Sequence, residues 1–408
     1  MQQPSQADHR GVLSRCLAAL LCVCCRTAPI GRVTVLASLP SVRSGSRHGD
    51  HQMPHFSLDG NMIKQTSLTL GIGAVGGFLA SLAGFPAPYL TGSAILVTVA
   101  CLSGFVLDIP HLLRNICFTI IGLSMGSGVT PEVIDTISLW PLASVILVVS
   151  LLATFFGSRS MLNRLWGFDM RSATLASSPG HLSFILGLSS QKNVDLPSIS
   201  IIQSIRVMAL TVVVPFAVMM LGLGHIGSSA PRPIMPLFSL LALAPAAAVI
   251  GLGLLRIRFP AAFLLGGMVA STSVHVSGVV EGQMPPWLTM IAFAVMGAII
   301  GSRFSNVTLE QLRRAAGAGL AAMALASLMA VAGGALAAWL LDMPLAQLLI
   351  AFAPGGLEAM AAMAVIMDVD TTFVAAQHVF RLLMLTFLAP AVLMWEDKVH
   401  PEPDDSEK

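Results

Sequence analysis

The chain has 408 residues, of which 55% are hydrophobic and only 10% charged, with a mean hydropathy of +0.82. Soluble globular domains carry about a quarter charged residues, so this composition excludes an ordinary cytosolic enzyme or a disordered regulator. A net charge of +2 also excludes the strongly basic surface that recruits nucleic acid.

Residues 1–61 stand apart from the rest. They hold Arg10, Arg15, Arg26, Arg32, Arg43 and Arg47, four of the six cysteines, and His48, His51 and His55. Arg15 ahead of the apolar run 16–25 has the outline of a targeting peptide, but Arg26 follows at once and no small-residue cleavage site appears. Cys22, Cys24 and Cys25 lack the paired C-x-x-C and H-x-x-x-H spacing of a zinc site. The segment reads best as an extension outside the fold, unstructured or translated from an early start, with Met62 opening the protein proper.

From there, hydropathy marks twelve apolar segments: 67–84, 89–107, 111–128, 137–157, 172–190, 198–221, 236–255, 260–277, 286–302, 315–341, 347–366 and 372–395. Aromatic residues are only 6% while the chain holds 36 Gly and 22 Met, which suits close-packed helices rather than a lipid-facing β-barrel. Cys101 and Cys117 fall inside the segments and read as small apolar packing residues.

The chain also repeats itself. Phe85-Pro86-Ala87 with Leu90 and Gly92 returns as Phe259-Pro260-Ala261 with Leu264 and Gly266, and Gly122 with Gly126-Ser127 returns as Gly297 with Gly301-Ser302. The block Pro179-Gly180-x-Leu182, Val194-Asp195, Arg206, Leu210-Thr211 and Pro215 returns without a gap as Pro354-Gly355-x-Leu357, Val369-Asp370, Arg381, Leu385-Thr386 and Pro390. The organisation is thus a first membrane repeat over 62–221, an inter-repeat loop over 222–235, a second repeat over 236–395 and a polar cytoplasmic tail over 396–408.

Loop charge decides how the halves face. Fourteen Lys and Arg lie in loops after residue 61; if all twelve segments span, eight fall inside and six outside. If instead the segments 172–190 and 347–366 enter and leave on one side, thirteen fall inside and only Arg232 outside, the asymmetry expected of cytoplasmic loops. Ser177-Ser178-Pro179-Gly180 and Ala353-Pro354-Gly355-Gly356 break those two segments in the middle, where Pro removes a helix hydrogen bond and Gly loosens the backbone. The expected fold is an all-α polytopic membrane protein of two inverted repeats, about five spans each, with one Pro-Gly broken or re-entrant helix per repeat and both termini cytoplasmic.

Arg206 and Arg381 hold equivalent places inside spanning segments, and an intramembrane Arg marks a functional site by default. Together with the tips Pro179, Gly180, His181 and Pro354, Gly355, Gly356 they could hold an anionic group, or equally lock the repeats together. Glu358 has no symmetric counterpart, Ser183 standing in its place, and is the candidate proton or cation site; its alternative is a helix-start carboxylate. Asp195 and Asp370 are coupling candidates that could pair with the repeat-mate Arg but better suit helix N-caps, and His378, like His181, either relays protons or donates hydrogen bonds in packing. Ser271, Thr272, Ser273 and His275 with Gln203 and Gln377 read as packing hydrogen bonds.

These repeated S/A-P-G blocks, the F-P-A…L…G openings and the Arg…Pro helices make residues 65–395 resemble the AbrB family of duplicated bacterial inner-membrane proteins. The resemblance implies a multi-pass inner-membrane location and an indirect part in regulation of gene expression, because no basic DNA-reading module stands outside the membrane after residue 61. The family's other label, ammonia monooxygenase, would require a metal centre. Here His111, His181, His275 and His378 are scattered, with no i, i+4 pair and no two-His-one-carboxylate grouping.

No catalytic residue, metal or cofactor is assigned. The expected function is a secondary-transporter-like carrier of a small, potentially anionic solute. A membrane regulator that senses a ligand without moving it comes second, and a metal monooxygenase a distant third. The expected partners are the lipid bilayer and a small-molecule ligand, with homo-oligomers left open and no direct contact with nucleic acid.

Overall fold

A computed structural model of the protein describes residues 60–128, 140–178, 194–222, 233–257 and 259–399. Leu58–Lys408 forms one compact unit, to which all of these belong. Its helices are α1 (Gly60–Leu82), α2 (Pro88–Leu102), α3 (His111–Ser127), α4 (Trp140–Trp166), α5 (Met170–Ser177), α6 (Leu196–Met220) and α7 (Leu237–Arg256). They continue as α8 (Ala262–Val276), α9 (Pro286–Ser302), α10 (Leu309–Leu341), α11 (Leu345–Phe352), α12 (Leu357–Ile366) and α13 (Thr371–Val399).

Six of these, α1, α4, α6, α7, α10 and α13, are long and apolar enough to cross a membrane. The exterior is apolar, with Val149, Phe238, Trp339 and Phe387 exposed, whereas Gln203, Arg206, Gln377, His378 and Arg381 are buried. That inverts the pattern of a water-soluble protein and is the distribution a bilayer selects: lipid covers the outer side chains, and inner polar groups such as Gln203, Gln377 and Arg381 find partners within the protein. The protein is an all-α polytopic membrane protein.

The apolar segments read from the sequence fall on these helices, with differences in length. α2 and α8 have 15 residues and α3 and α9 have 17, or about 22–25 Å of helix. The segment 89–107 had promised more, but α2 stops at Ser103-Gly104, the glycine taking φ 97, and an extended stretch follows to Pro110. In that stretch the Leu107 N–H donates to Ser305 Oγ at 3.2 Å, a partner no local sequence pattern reveals. α10, by contrast, runs 33 residues because a capping box starts it early: Gln311 N–H donates to Thr308 Oγ1 and Thr308 N–H to Gln311 Oε1.

The sequence duplication is repeated in backbone detail. Ala87 and Ala261, last residues of the two F-P-A motifs, both take left-handed conformations at φ 52 and φ 49 and turn the chain into α2 and α8. α2 packs along α9, and α3 along α8, so each pair joins the two halves. Gly297 faces Leu90 and Gly301 faces Ala94; Gly122 faces Leu264 and Gly126 faces Met268. Both members of each pair advance together, so each pair runs parallel. The approach is backbone to backbone: a Cβ on Gly122 would stand 2.0 Å from the Leu264 carbonyl oxygen, and one on Gly297 2.3 Å from that of Leu90.

The two ends of the bundle are distinguishable. α2 ends, through Leu107 and Ser305, beside the start of α3, which defines a His111 end. At the other, Met125 end, Thr371 Oγ1 donates to the Met125 carbonyl at 2.8 Å. α4 and α10 are antiparallel, Trp166 lying at Gly317 near the start of α10 and Ser150 at Gly333 towards its end. α5, which follows α4, therefore starts at the His111 end, and so does α6, because Asp195 N–H donates to Ser172 Oγ at 3.2 Å. α11 and α13 both start at the Met125 end.

Candidate functional site

The second broken segment is a pair of half-helices. α11 stops at Phe352, Ala353–Gly356 are not helical, and α12 starts at Leu357. A helix end leaves backbone carbonyls without intrahelical partners, and inside a membrane protein water cannot be relied on to supply them. Arg381 supplies them here. It lies about ten residues, hence about 15 Å, into α13, and is buried. Its Nη1 donates to the Ala353 carbonyl and its Nη2 to the Gly355 carbonyl at 2.6 Å. Arg381 thus holds the tip in shape.

Glu358 sits in the first turn of α12, where free N–H groups favour a carboxylate. It is 9% exposed, and its Oε2 curls back to within 3.3 Å of where a Cβ on Gly356 would be. A cavity of about 970 Å³ reaches it, lined from Asp108, His111 and Arg114 at the His111 end to Ser178 and Glu358 deep inside. Arg303, just past α9, also lines this cavity, within electrostatic reach of both Glu358 and Arg114.

Arg206 is buried on α6 at the place equivalent to Arg381; it lies within electrostatic reach of Arg303, and Arg381 lies within reach of it. Pro179, Gly180 and His181 lie outside the described residues. His378 is fully buried with Nδ1 2.9 Å from the Val374 carbonyl oxygen. Gln203 donates to the Leu175 carbonyl and Gln377 exchanges hydrogen bonds with Ser144. Arg303 and Glu358 thus line the cavity, while Arg206 and Arg381 are buried in the helices behind it.

Asp195 and Asp370 act as helix caps. Asp195 accepts from the Ser198 N–H at 3.1 Å, and Asp370 from the Thr372 and Phe373 N–H groups at 2.9 and 3.0 Å; neither lines the cavity. Asp370→Asn, which keeps the accepting oxygen, should hold the melting temperature close to that of the parent, whereas Asp370→Ala should cost about 1 kcal/mol. A scanning thermal melt distinguishes the two.

Sequence reading missed three participants. Arg114 and Arg303 were counted only as loop cations, yet both face the cavity. Arg303 had a signal: it follows the repeated Gly-Ser landmark, where the first half has Gly128. Glu396 was assigned to a polar tail, but it is 4% exposed within α13, accepts from Thr174 Oγ1 at 2.8 Å and pairs with Arg159. This pairing ties α4 and α5 to the end of α13.

Membrane-crossing helices, a broken helix pinned by a buried guanidinium and a cavity that carries Asp108, Arg114, Arg303 and Glu358 among apolar side chains define a polytopic membrane protein with charged groups inside it. The chain belongs to the AbrB family: the model described as "Transition state regulatory protein AbrB" matches residues 89–396. It is similar to the "Uncharacterized protein YhjN" of Bacillus subtilis (strain 168), 26% identical over 385 residues covering 85% of this chain and 97% of the relative. It is also similar to the "Putative regulator AbrB" of Escherichia coli (strain K12), 27% identical over 345 residues covering 82% of this chain and 95% of the relative.

Proposed function

We propose that the protein is a carrier of a small anionic solute that works by alternating access between two inverted halves. The observation that carries this reading is the cavity running from the His111 end to the tip between α11 and α12, where one carboxylate, Glu358, sits among arginines. Broken helices lining a cavity are where membrane carriers place their binding sites.

Packing supports the inversion. α2 runs parallel to α9 and α3 to α8, while α3 starts at the end where α2 finishes. Repeat mates such as α3 and α9 therefore run in opposite directions. α5 and α6 start at the His111 end, α11 and α13 at the Met125 end, the arrangement that leaves thirteen of the fourteen loop cations on one side. By that charge the His111 end is the cytoplasmic face.

Within this reading Arg381 shapes the binding tip, Arg206 holds the equivalent place on α6, and Glu358 carries the coupling proton or cation. A carrier that shifts a metabolite across the inner membrane changes gene expression without touching DNA, which accords with the regulator in the Escherichia coli relative's name. That name also favours a second reading, a sensor that binds the solute without moving it.

Uptake into proteoliposomes separates the two. A thermal-shift screen of organic acids and phosphates identifies a ligand, and a proton gradient should then drive its accumulation. Glu358→Gln should keep solute exchange but lose that accumulation. Stabilisation by a ligand that is never taken up would favour the sensor and sink the carrier.

A further inference from the structure

A second, smaller cavity of about 260 Å³ lies at the Met125 end, and the part of its lining on α3 and α9 is the repeat image of that part of the first. Asp108, Arg114, Phe118 and Arg303 line the large cavity; Gln283, Thr289, Phe293 and Gly128 line the small one, and each pair of numbers differs by 175. The two cavities are built from equivalent turns of equivalent helices, α3 and the end of α9 for one, α9 and the end of α3 for the other.

They differ in charge. The large cavity has two guanidiniums, Arg114 and Arg303, against the carboxylates of Asp108 and Glu358. The Asp108 carboxylate is partly occupied, accepting from the Ile109 N–H at 2.8 Å. Arg114 is anchored on His111, its Nη2 2.6 Å from the ring Nδ1, while its buried Nε has no partner among the described residues. The small cavity has no Lys or Arg among its described lining residues and one carboxylate, Asp368.

We infer that Arg114 and Arg303 form an anion-capture subsite at the mouth of the large cavity, with no counterpart among the described residues of the repeat-related cavity on the other face. The inference rests on the carrier reading for its purpose and gives it a direction: a carboxylate- or phosphate-bearing solute is drawn in at the His111 end and meets no guanidinium among the described lining residues at the Met125 end. At the mouth the two guanidiniums face one carboxylate, Asp108, with Glu358 deeper, whereas the described lining of the small cavity has Asp368 as its one charged group; the less negative vestibule holds the higher local concentration of anions.

Thiol labelling tests this without needing the solute. In a chain whose six cysteines are replaced by Ser, Asn115→Cys and Met290→Cys place single thiols at repeat-related positions, one in each cavity. Membrane-impermeant methanethiosulfonates bearing a sulfonate or a trimethylammonium group are applied to each face of oriented vesicles, and each rate is normalised to that of a free thiol.

Asn115→Cys should react from the cytoplasmic face about tenfold faster with the anionic reagent than with the cationic one. Adding Arg114→Gln and Arg303→Gln should bring that ratio towards one. Met290→Cys should react from the opposite face without favouring the anion. Equal rates at Asn115→Cys, a preference that survives loss of both arginines, or labelling of both thiols from the same face would overturn the inference. A protein that shows the preference yet moves no solute keeps the capture site and loses the carrier reading; uptake without the preference does the reverse.

Discussion

Gly122→Leu and Gly297→Leu should each leave little or no monodisperse protein after detergent extraction. At both positions the added carbon meets a backbone carbonyl, Leu264 at 2.0 Å and Leu90 at 2.3 Å, so no side-chain rotation relieves the clash. Overpacking a core that adapts through its side chains costs typically about 1–3 kcal/mol. Here two helices would have to part along their whole contact, and a fold stable by about 5–15 kcal/mol does not absorb that. Leucine at Gly71 or Gly253, where a Cβ meets nothing within 4 Å, is the control and should give parental yield in size-exclusion chromatography. Parental yield for Gly122→Leu would show that α3 and α8 are not in backbone contact.

Most of this scaffold was legible in the sequence, because hydropathy and duplication report on properties that every residue of a helix shares. The mid-segment Pro-Gly motif at 354–355 became the break between α11 and α12 for the reason its chemistry suggested: proline has no N–H to give and glycine tolerates the turn. Asp195 and Asp370 read more readily as helix caps than as coupling carboxylates, and both accept from N–H groups three residues on, Ser198 and Phe373. Where the reading ran out, the deciding partner was far away in sequence.

Arg114 and Arg303 were harder, for a different reason. Hydropathy treats a charge at a helix end as a loop residue facing water or headgroups. α3 and α9 are short helices packed between the halves, so their ends open on an internal cavity instead. Glu396 shows the same blindness from the other side: a charged carboxy-terminal stretch looks like a solvated tail until Arg159 and Thr174, more than two hundred residues earlier, are found against it.

Arg381→Leu should uncouple the tip of α11 and α12 from α13, and this is the largest functional loss expected from a single side chain. The guanidinium serves two carbonyls at once, Ala353 and Gly355. Leucine fills the space but leaves both acceptors buried and unpaired, at about 1–3 kcal/mol each. Hydrogen exchange should report it directly: the amides of Leu357–Met360 at the start of α12 should exchange faster in the variant, while those of α2 and α9 stay protected. Uptake should fall with the same substitution. Arg381→Lys discriminates between holding a tip and attracting an anion. Lysine keeps the positive charge but lacks the planar fork that reaches two carbonyls together. If Arg381 acts on the tip, Arg381→Lys should resemble Arg381→Leu in exchange and in uptake. If it acts on the solute through charge alone, Arg381→Lys should retain both protection and uptake, and the geometric role assigned to it would be wrong.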